Sequence, residues 1–123
     1  MVDIRQPLWE VMASKLIKSP KGRPGSYYQL SEVKALISSG KVRFGDNALA
    51  GAWKAFGWSS EDILAALASL KPCHFYKSDK SIYDPKIVLD FYKAQGLKGE
   101  NVYTHFYIND HTEELVVNSF KEI

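Results

Sequence analysis

The hydrophobic period of the chain changes at Pro72-Cys73-His74. Before that point apolar residues recur at helical spacing. Val33, Leu36 and Ile37 form one stripe, Ala48, Leu49, Ala52, Trp53 and Phe56 a second, and Ile63, Leu64, Leu67 and Leu70 a third. Beyond it the pattern alternates, which predicts strands at about 73–78, 102–108 and 115–121. Three short helices cannot bury their stripes alone, and a following sheet supplies the missing surface. The expected fold class is therefore α+β, short helices packed on a small antiparallel sheet.

Local punctuation sharpens the helices. Ser31 is the expected N-cap of the first, since its hydroxyl can accept an orphan backbone N–H, and Gly40 stops it. Asp46 or Asn47 caps the second, and Gly57 closes it. Ser59 and Asp62 form a capping box for the third, and Pro72 prevents its continuation. Trp53 falls on the inner stripe and is expected in the core. Trp58 should seal the corner between two helices. Lys41-Val42-Arg43-Phe44 reads as a short edge strand or an extended connector. The segment from Asp84 to Gly96 is ambiguous. Asp84-Pro85 and Gly96 are helix boundaries, which tips the local reading slightly to helix, yet Ile87-Val88-Leu89 and Phe91-Tyr92 are equally good strand material. Asn109 to Glu114 is a polar hairpin loop. Near the N-terminus Leu8, Val11, Met12 and Leu16 follow Pro7 at helical spacing, and Ser19 to Ser26, with two prolines and two glycines, is a tether. We divide the chain into an extension and linker, 1–27, and one domain, 28–123.

The 123 residues suit a single core. No apolar run reaches the roughly 20 residues of a membrane span, and there is no secretory leader pattern, so the expected location is cytoplasmic and no membrane is involved. Cys73 is the only cysteine, read as a buried, inert thiol. Net charge is +2, but basic residues cluster. Seven lie between Lys15 and Arg43 against Glu32 alone, and six between Lys71 and Lys98 against three aspartates, while Glu100 to Glu114 is acidic. That asymmetry suits a polyanionic ligand.

No metal-ligand spacing, phosphate-binding glycine loop or nucleophile elbow is present, so neither metal nor cofactor is expected. What remains is lysine, tyrosine and histidine on strands. Strict alternation gives Phe75 and Lys77 one face and Tyr76 the other. It places Val117, Ser119 and Lys121 together, and likewise Tyr103, His105 and Tyr107. Two lysines flanking an aromatic strand suit metal-independent RNA cleavage. Attack of a ribose 2′-hydroxyl on the adjacent phosphate needs a base, an acid and cations for the phosphorane. Exposed Tyr76, Tyr83 and Tyr92 could stack bases.

From about Tyr28 onward the chain resembles the MqsR-type messenger-RNA interferase toxins. The resemblance is carried, in order, by Leu30-Ser31-Glu32-Val33-Lys34, Gly40-Lys41-Val42-Arg43, Phe75-Tyr76-Lys77-Ser78, Tyr83-Asp84, Asp90-Phe91-Tyr92, Val102-Tyr103 and Val116-Val117-Asn118-Ser119-Phe120-Lys121-Glu122. It implies a RelE-like ribonuclease fold, helices on a strongly twisted antiparallel sheet, and so a strand near Val88 to Lys93. It implies a toxin of a type II toxin–antitoxin system that cleaves single-stranded mRNA and is neutralised by a cognate antitoxin. Without the antitoxin we expect a monomer. The family's catalytic lysine falls on Lys77, its tyrosine on Tyr103 and its C-terminal lysine on Lys121. His105 stands where a lysine is frequent and can share proton transfer. Tyr76, Arg43, Lys80 and Lys93 are the expected RNA contacts. The family's catalytic glutamine falls on Leu89, which cannot hydrogen-bond; Gln95 is the nearest glutamine. That departure keeps open a domain that binds RNA without cutting it, or one that docks a protein by strand addition.

Overall fold

The computed structural model describes residues 25–123. The expected helix over Leu8 to Leu16 and the tether's first residues lie outside them. Among the described residues three helices precede the four antiparallel strands: α1 (Leu30–Ser38), α2 (Asp46–Phe56) and α3 (Ser60–Ala68). A three-residue strand, β1 (Val42–Phe44), separates the first two. A single 3₁₀ turn at Pro72–His74 then leads into β2 (Phe75–Lys80), β3 (Val88–Leu97), β4 (Glu100–Asn109) and β5 (Glu114–Glu122). These five strands form one open sheet in the order β1-β5-β4-β3-β2. The α+β class holds. The sheet is mixed, however, because β1 runs parallel to β5 while the other pairs are antiparallel.

The helix ends follow the sequence to within a residue or two. α1 starts earlier than expected: Gln29, in extended conformation, is its N-cap, and Ser31 already lies inside the helix. Gly45 is the N-cap of α2. Gly57 ends that helix in the left-handed conformation at φ +70°, which costs glycine little. Ser59 and Asp62 do form the capping box, the Ser59 N–H donating to Asp62 Oδ2 at 3.0 Å. The ambiguous segment is a strand. The Asp84-Pro85 cue is used by a turn instead: the Lys86 N–H donates to Asp84 Oδ1 and the Ile87 N–H to the Asp84 carbonyl.

The core lies between the helices and one face of the sheet. Val33, Ile63, Leu67 and Leu70 meet Tyr92, Phe106 and Phe120, all buried. Helix α2 lies against β5 at very short range. A Cβ on Gly51 would stand 2.4 Å from the Phe120 carbonyl oxygen, so only glycine permits this approach. The small side chains Ala48 and Ala52 are buried there. This rotation of α2 leaves Leu49 and Trp53 outward. Trp53 is 66% exposed, contrary to its expected place in the core. Trp58 seals the corner, its ring 4.7 Å from that of Phe56 and 5.9 Å from that of Phe120. Cys73 is exposed rather than buried.

One carboxylate fixes the chain's entry to the domain. Asp90 is fully buried and accepts the backbone N–H groups of Tyr27 (3.0 Å) and Tyr28 (2.9 Å) and the Ser78 hydroxyl (2.5 Å). Tyr28 Oη also donates to the Val88 carbonyl at 2.7 Å. Burial pushes the Asp90 carboxyl up to about 6, against three hydrogen bonds that favour its charged form.

Candidate functional site

The face of the sheet turned away from the helices carries the polar and aromatic residues of interest. Its geometry depends on two strand irregularities. In β2, Phe75 pairs with Tyr92 but Lys77 pairs with Phe91, so Tyr76 is an extra residue with no partner of its own in the ladder. In β5, Ser119 pairs with His105 but Val117 pairs with Phe106, so Asn118 is the extra residue.

Each bulge reverses the alternation across it. Phe75 therefore packs on the core face, its ring 5.6 Å from that of Tyr92, while Lys77 points to the opposite face. Phe75 and Lys77 do not share a face, as plain alternation would require. Val117 is likewise buried in the core, while Ser119 and Lys121 belong to the outer face. Tyr76 joins Lys77 on the outer face instead of opposing it, with the Lys93 ammonium 4.0 Å and the Lys77 ammonium 5.9 Å from its ring centroid.

The result is two rows running across the sheet. Lys77, Phe91, His105 and Ser119 are successive cross-strand neighbours on β2 to β5. Lys93, Tyr103 and Lys121 form the adjacent row. Phe91 is the floor between the lysines: Lys77 Nζ lies 4.9 Å from its ring centroid and the His105 ring lies 4.7 Å away. Lys121 Nζ lies 5.2 Å from the Tyr103 ring. Tyr103 Oη and His105 Nδ1 are 3.3 Å apart, within hydrogen-bond reach. Lys77 also meets Asp79 at 3.4 Å, an exposed pair that a phosphate could displace at small cost.

Both lysines act electrostatically on the Tyr103–His105 pair. Burial, and then the Lys121 charge, lowers the His105 pKa below the usual imidazole value. Burial raises the Tyr103 phenol, and Lys77 opposes that rise. At neutral pH the pair is an uncharged imidazole beside an uncharged phenol, with an ammonium on either side. Such a group can take a proton from a hydroxyl, and the cations can stabilise an oxyanion.

A pocket of about 340 Å³ opens beside the first row, lined in part by Lys77, Leu89, Phe91, His105 and Asn118. Leu89 is 9% exposed in its wall. Gln95 is exposed farther along β3 and is not part of that wall. Among the described residues no group of three or more His, Cys, Asp or Glu side chains could hold a metal ion.

The structure thus gathers Lys77, Tyr103, His105 and Lys121, with Tyr76 and Lys93 beside them. Lys80 lines the pocket. Arg43 belongs to the same face but at the far edge, four strands from Lys77, or about 19 Å at ~4.8 Å per strand, and pairs with Glu114 at 3.4 Å. Tyr92 is no stacking platform, because it is 1% exposed in the core. Sequence reading missed Phe91 as the floor and Asn118 as a wall residue. An aromatic inside an alternating run carries no mark of which face it takes, and a bulge has no local signature.

A family model described as "Motility quorum-sensing regulator, toxin of MqsA" matches residues 25–122. No curated protein matches the chain.

Proposed function

Because the chain belongs to the MqsR family of motility quorum-sensing regulator toxins, we propose that it is an endoribonuclease that cleaves single-stranded mRNA without a metal. Membership makes it a toxin of a toxin–antitoxin system, with an antitoxin of the MqsA kind as partner. The carrying observation is that Lys77 and Lys121 flank a Tyr103–His105 pair within hydrogen-bond reach on one face of the sheet.

In this reading Lys77 and Lys121 hold the scissile phosphate over the Phe91 floor. His105 accepts the proton of the 2′-hydroxyl, directly or through Tyr103, as the 2′-oxygen bonds to phosphorus. The bond from phosphorus to the 5′-oxygen breaks, and that oxygen takes a proton from the Lys77 ammonium. The products are a 2′,3′-cyclic phosphate and a 5′-hydroxyl. Both ammonium groups compensate the charge that develops on the phosphorane. Tyr76, Lys80 and Lys93 guide the strand to the site, and Arg43 extends the track to the opposite edge. Residues 28–123 form the catalytic domain and 1–27 an extension whose last residue, Tyr27, is tied to that domain through Asp90.

Incubation with long single-stranded RNA in EDTA, followed by mapping of the ends, tests this. Discrete cuts with cyclic phosphate ends are expected, and Lys77→Ala or Lys121→Ala should abolish them without unfolding the domain. Full activity in either folded variant refutes the assignment. Leu89 supports a second reading, RNA binding without cleavage. Salt-sensitive RNA affinity with no product, with and without ribosomes, would favour it.

A further inference from the structure

The pocket beside the lysines holds an unsatisfied group. Asn118 Oδ1 is buried and has no hydrogen-bond partner among the described residues, although buried amide oxygens in folded chains are nearly always paired. Asn118 is also the bulge residue of β5, held at the wall of the pocket by an irregularity that no core contact demands. The walls next to it are Leu89 and Phe91, apolar and partly aromatic. At the mouth, on the loop between β2 and β3, Ile82 and Tyr83 are 88% and 91% exposed, with almost nothing covering them. Lys77 and His105 form the side of the pocket shared with the rows described above.

We propose that this pocket is a nucleobase subsite, and that Asn118 reads the edge of the base bound there; this rests on the ribonuclease reading. A flat heteroaromatic ring matches the apolar walls, and its polar edge meets the Asn118 amide, whose buried Oδ1 comes within reach of a donor by a turn of the side chain out of the wall. The volume of about 340 Å³ has room for one base. Tyr83 closes over the ring by stacking, which is indifferent to base identity. The phosphate of the same nucleotide then falls at Lys77 and His105. Asp79 and Ser81 also line the pocket, but the first is paired with Lys77 and the second accepts the Tyr83 N–H, which leaves Asn118, the only amide among the described lining residues, to read the base.

The test is cleavage of a random single-stranded RNA pool by the full chain, with sequencing of all ends. Wild type should show a base preference at a position next to the cut. Asn118→Ala should reduce that preference about tenfold, as expected for loss of a hydrogen bond worth ~1.4 kcal/mol, while cutting persists. Asn118→Asp should move the preference to guanine, whose edge offers two adjacent N–H groups to a carboxylate. Tyr83→Ala should weaken cutting at all sites alike. An unchanged base preference in folded Asn118→Ala overturns the proposal. Should that variant fail to fold, the isosteric Asn118→Asp decides: a shift to guanine supports the subsite, and an unchanged preference overturns it. No cutting by wild type would refute the ribonuclease reading separately. The subsite is then judged by titrating the four nucleoside monophosphates against the His105 imidazole resonances. Selective binding lost in the Asn118 variants supports it, and equal or absent binding overturns it.

Discussion

Replacing Gly51 by alanine should destabilise the domain, although the position is in the middle of a helix, where alanine is intrinsically better. The gain in helix propensity is about 1 kcal/mol. Against it stands the approach of α2 to β5. The new Cβ would lie 2.4 Å from the Phe120 carbonyl oxygen and 3.6 Å from the Lys121 Cβ. The first neighbour is backbone within a paired strand and has no rotamer to change. Reaching even 3.0 Å requires helix and strand to part by about 0.6 Å. The helix would separate at buried Ala48 and Ala52, with the Trp58–Phe120 contact beside them. Overpacking of this kind costs up to about 3 kcal/mol. Net of propensity, a loss of about 1–2 kcal/mol is expected, or ~5–10 °C in Tm for a domain near this size. Urea unfolding measures it directly, at unchanged slope. The strand that must yield also carries Lys121, so the cleavage rate of the folded variant should fall as well. A Gly51→Ala protein as stable as wild type would refute the claim that close backbone contact fixes α2 on β5.

Three further outcomes follow from the site and the core. The cleavage rate should rise with pH along a limb centred below the usual imidazole value of about 6.5, because burial and Lys121 both disfavour the charged His105; His105→Gln should abolish that limb, and its persistence would assign the base elsewhere. Asp90 is held up at about 6 in the folded chain, against an ordinary 3.8, so between those values the folded state binds the extra proton. Stability should therefore fall as pH rises from about 4 to 6, by up to about 3 kcal/mol, and urea titrations should show the fall in wild type but not in Asp90→Asn. Leu89→Gln should raise the cleavage rate by adding a hydrogen-bonding group to the pocket wall, at a stability cost of about 1–2 kcal/mol; single-turnover rates on one RNA decide, and an unchanged rate removes this position from the chemistry.

The elements were legible where one period dominated and a terminator agreed with it, as at Gly57, at the Ser59–Asp62 box and at Pro72. The segment from Asp84 to Gly96 misled local reasoning because its helix cues are genuine turn cues: Asp84-Pro85 serves a turn before β3, and Gly96, at φ +74°, the turn between β3 and β4. Trp53 misled it for another reason. The sheet selects the flattest face of α2, the one with Gly51, and the bulky stripe is turned outward in consequence. The lysines, tyrosine and histidine of the candidate site were all legible in the sequence, but their arrangement was not. Alternation counts residues, and an inserted residue changes the phase without changing composition, so the faces of Phe75 and Val117 came out reversed.

Those two insertions divide the site into parts that can change independently. Lys77, His105, Tyr103 and Lys121 are in register, and slipping any of their strands by one residue would turn them into the core. Tyr76 and Asn118 are surplus to the ladder: remove either, and the pairs on both sides of it simply become continuous. On the proposed ribonuclease reading, a lineage of such chains can therefore substitute, or even delete, residues that guide the strand or read its base while the pairing of Lys77, His105, Tyr103 and Lys121 and the hydrophobic interior are kept. Substrate preference is free to drift under selection at little risk to folding or to chemistry.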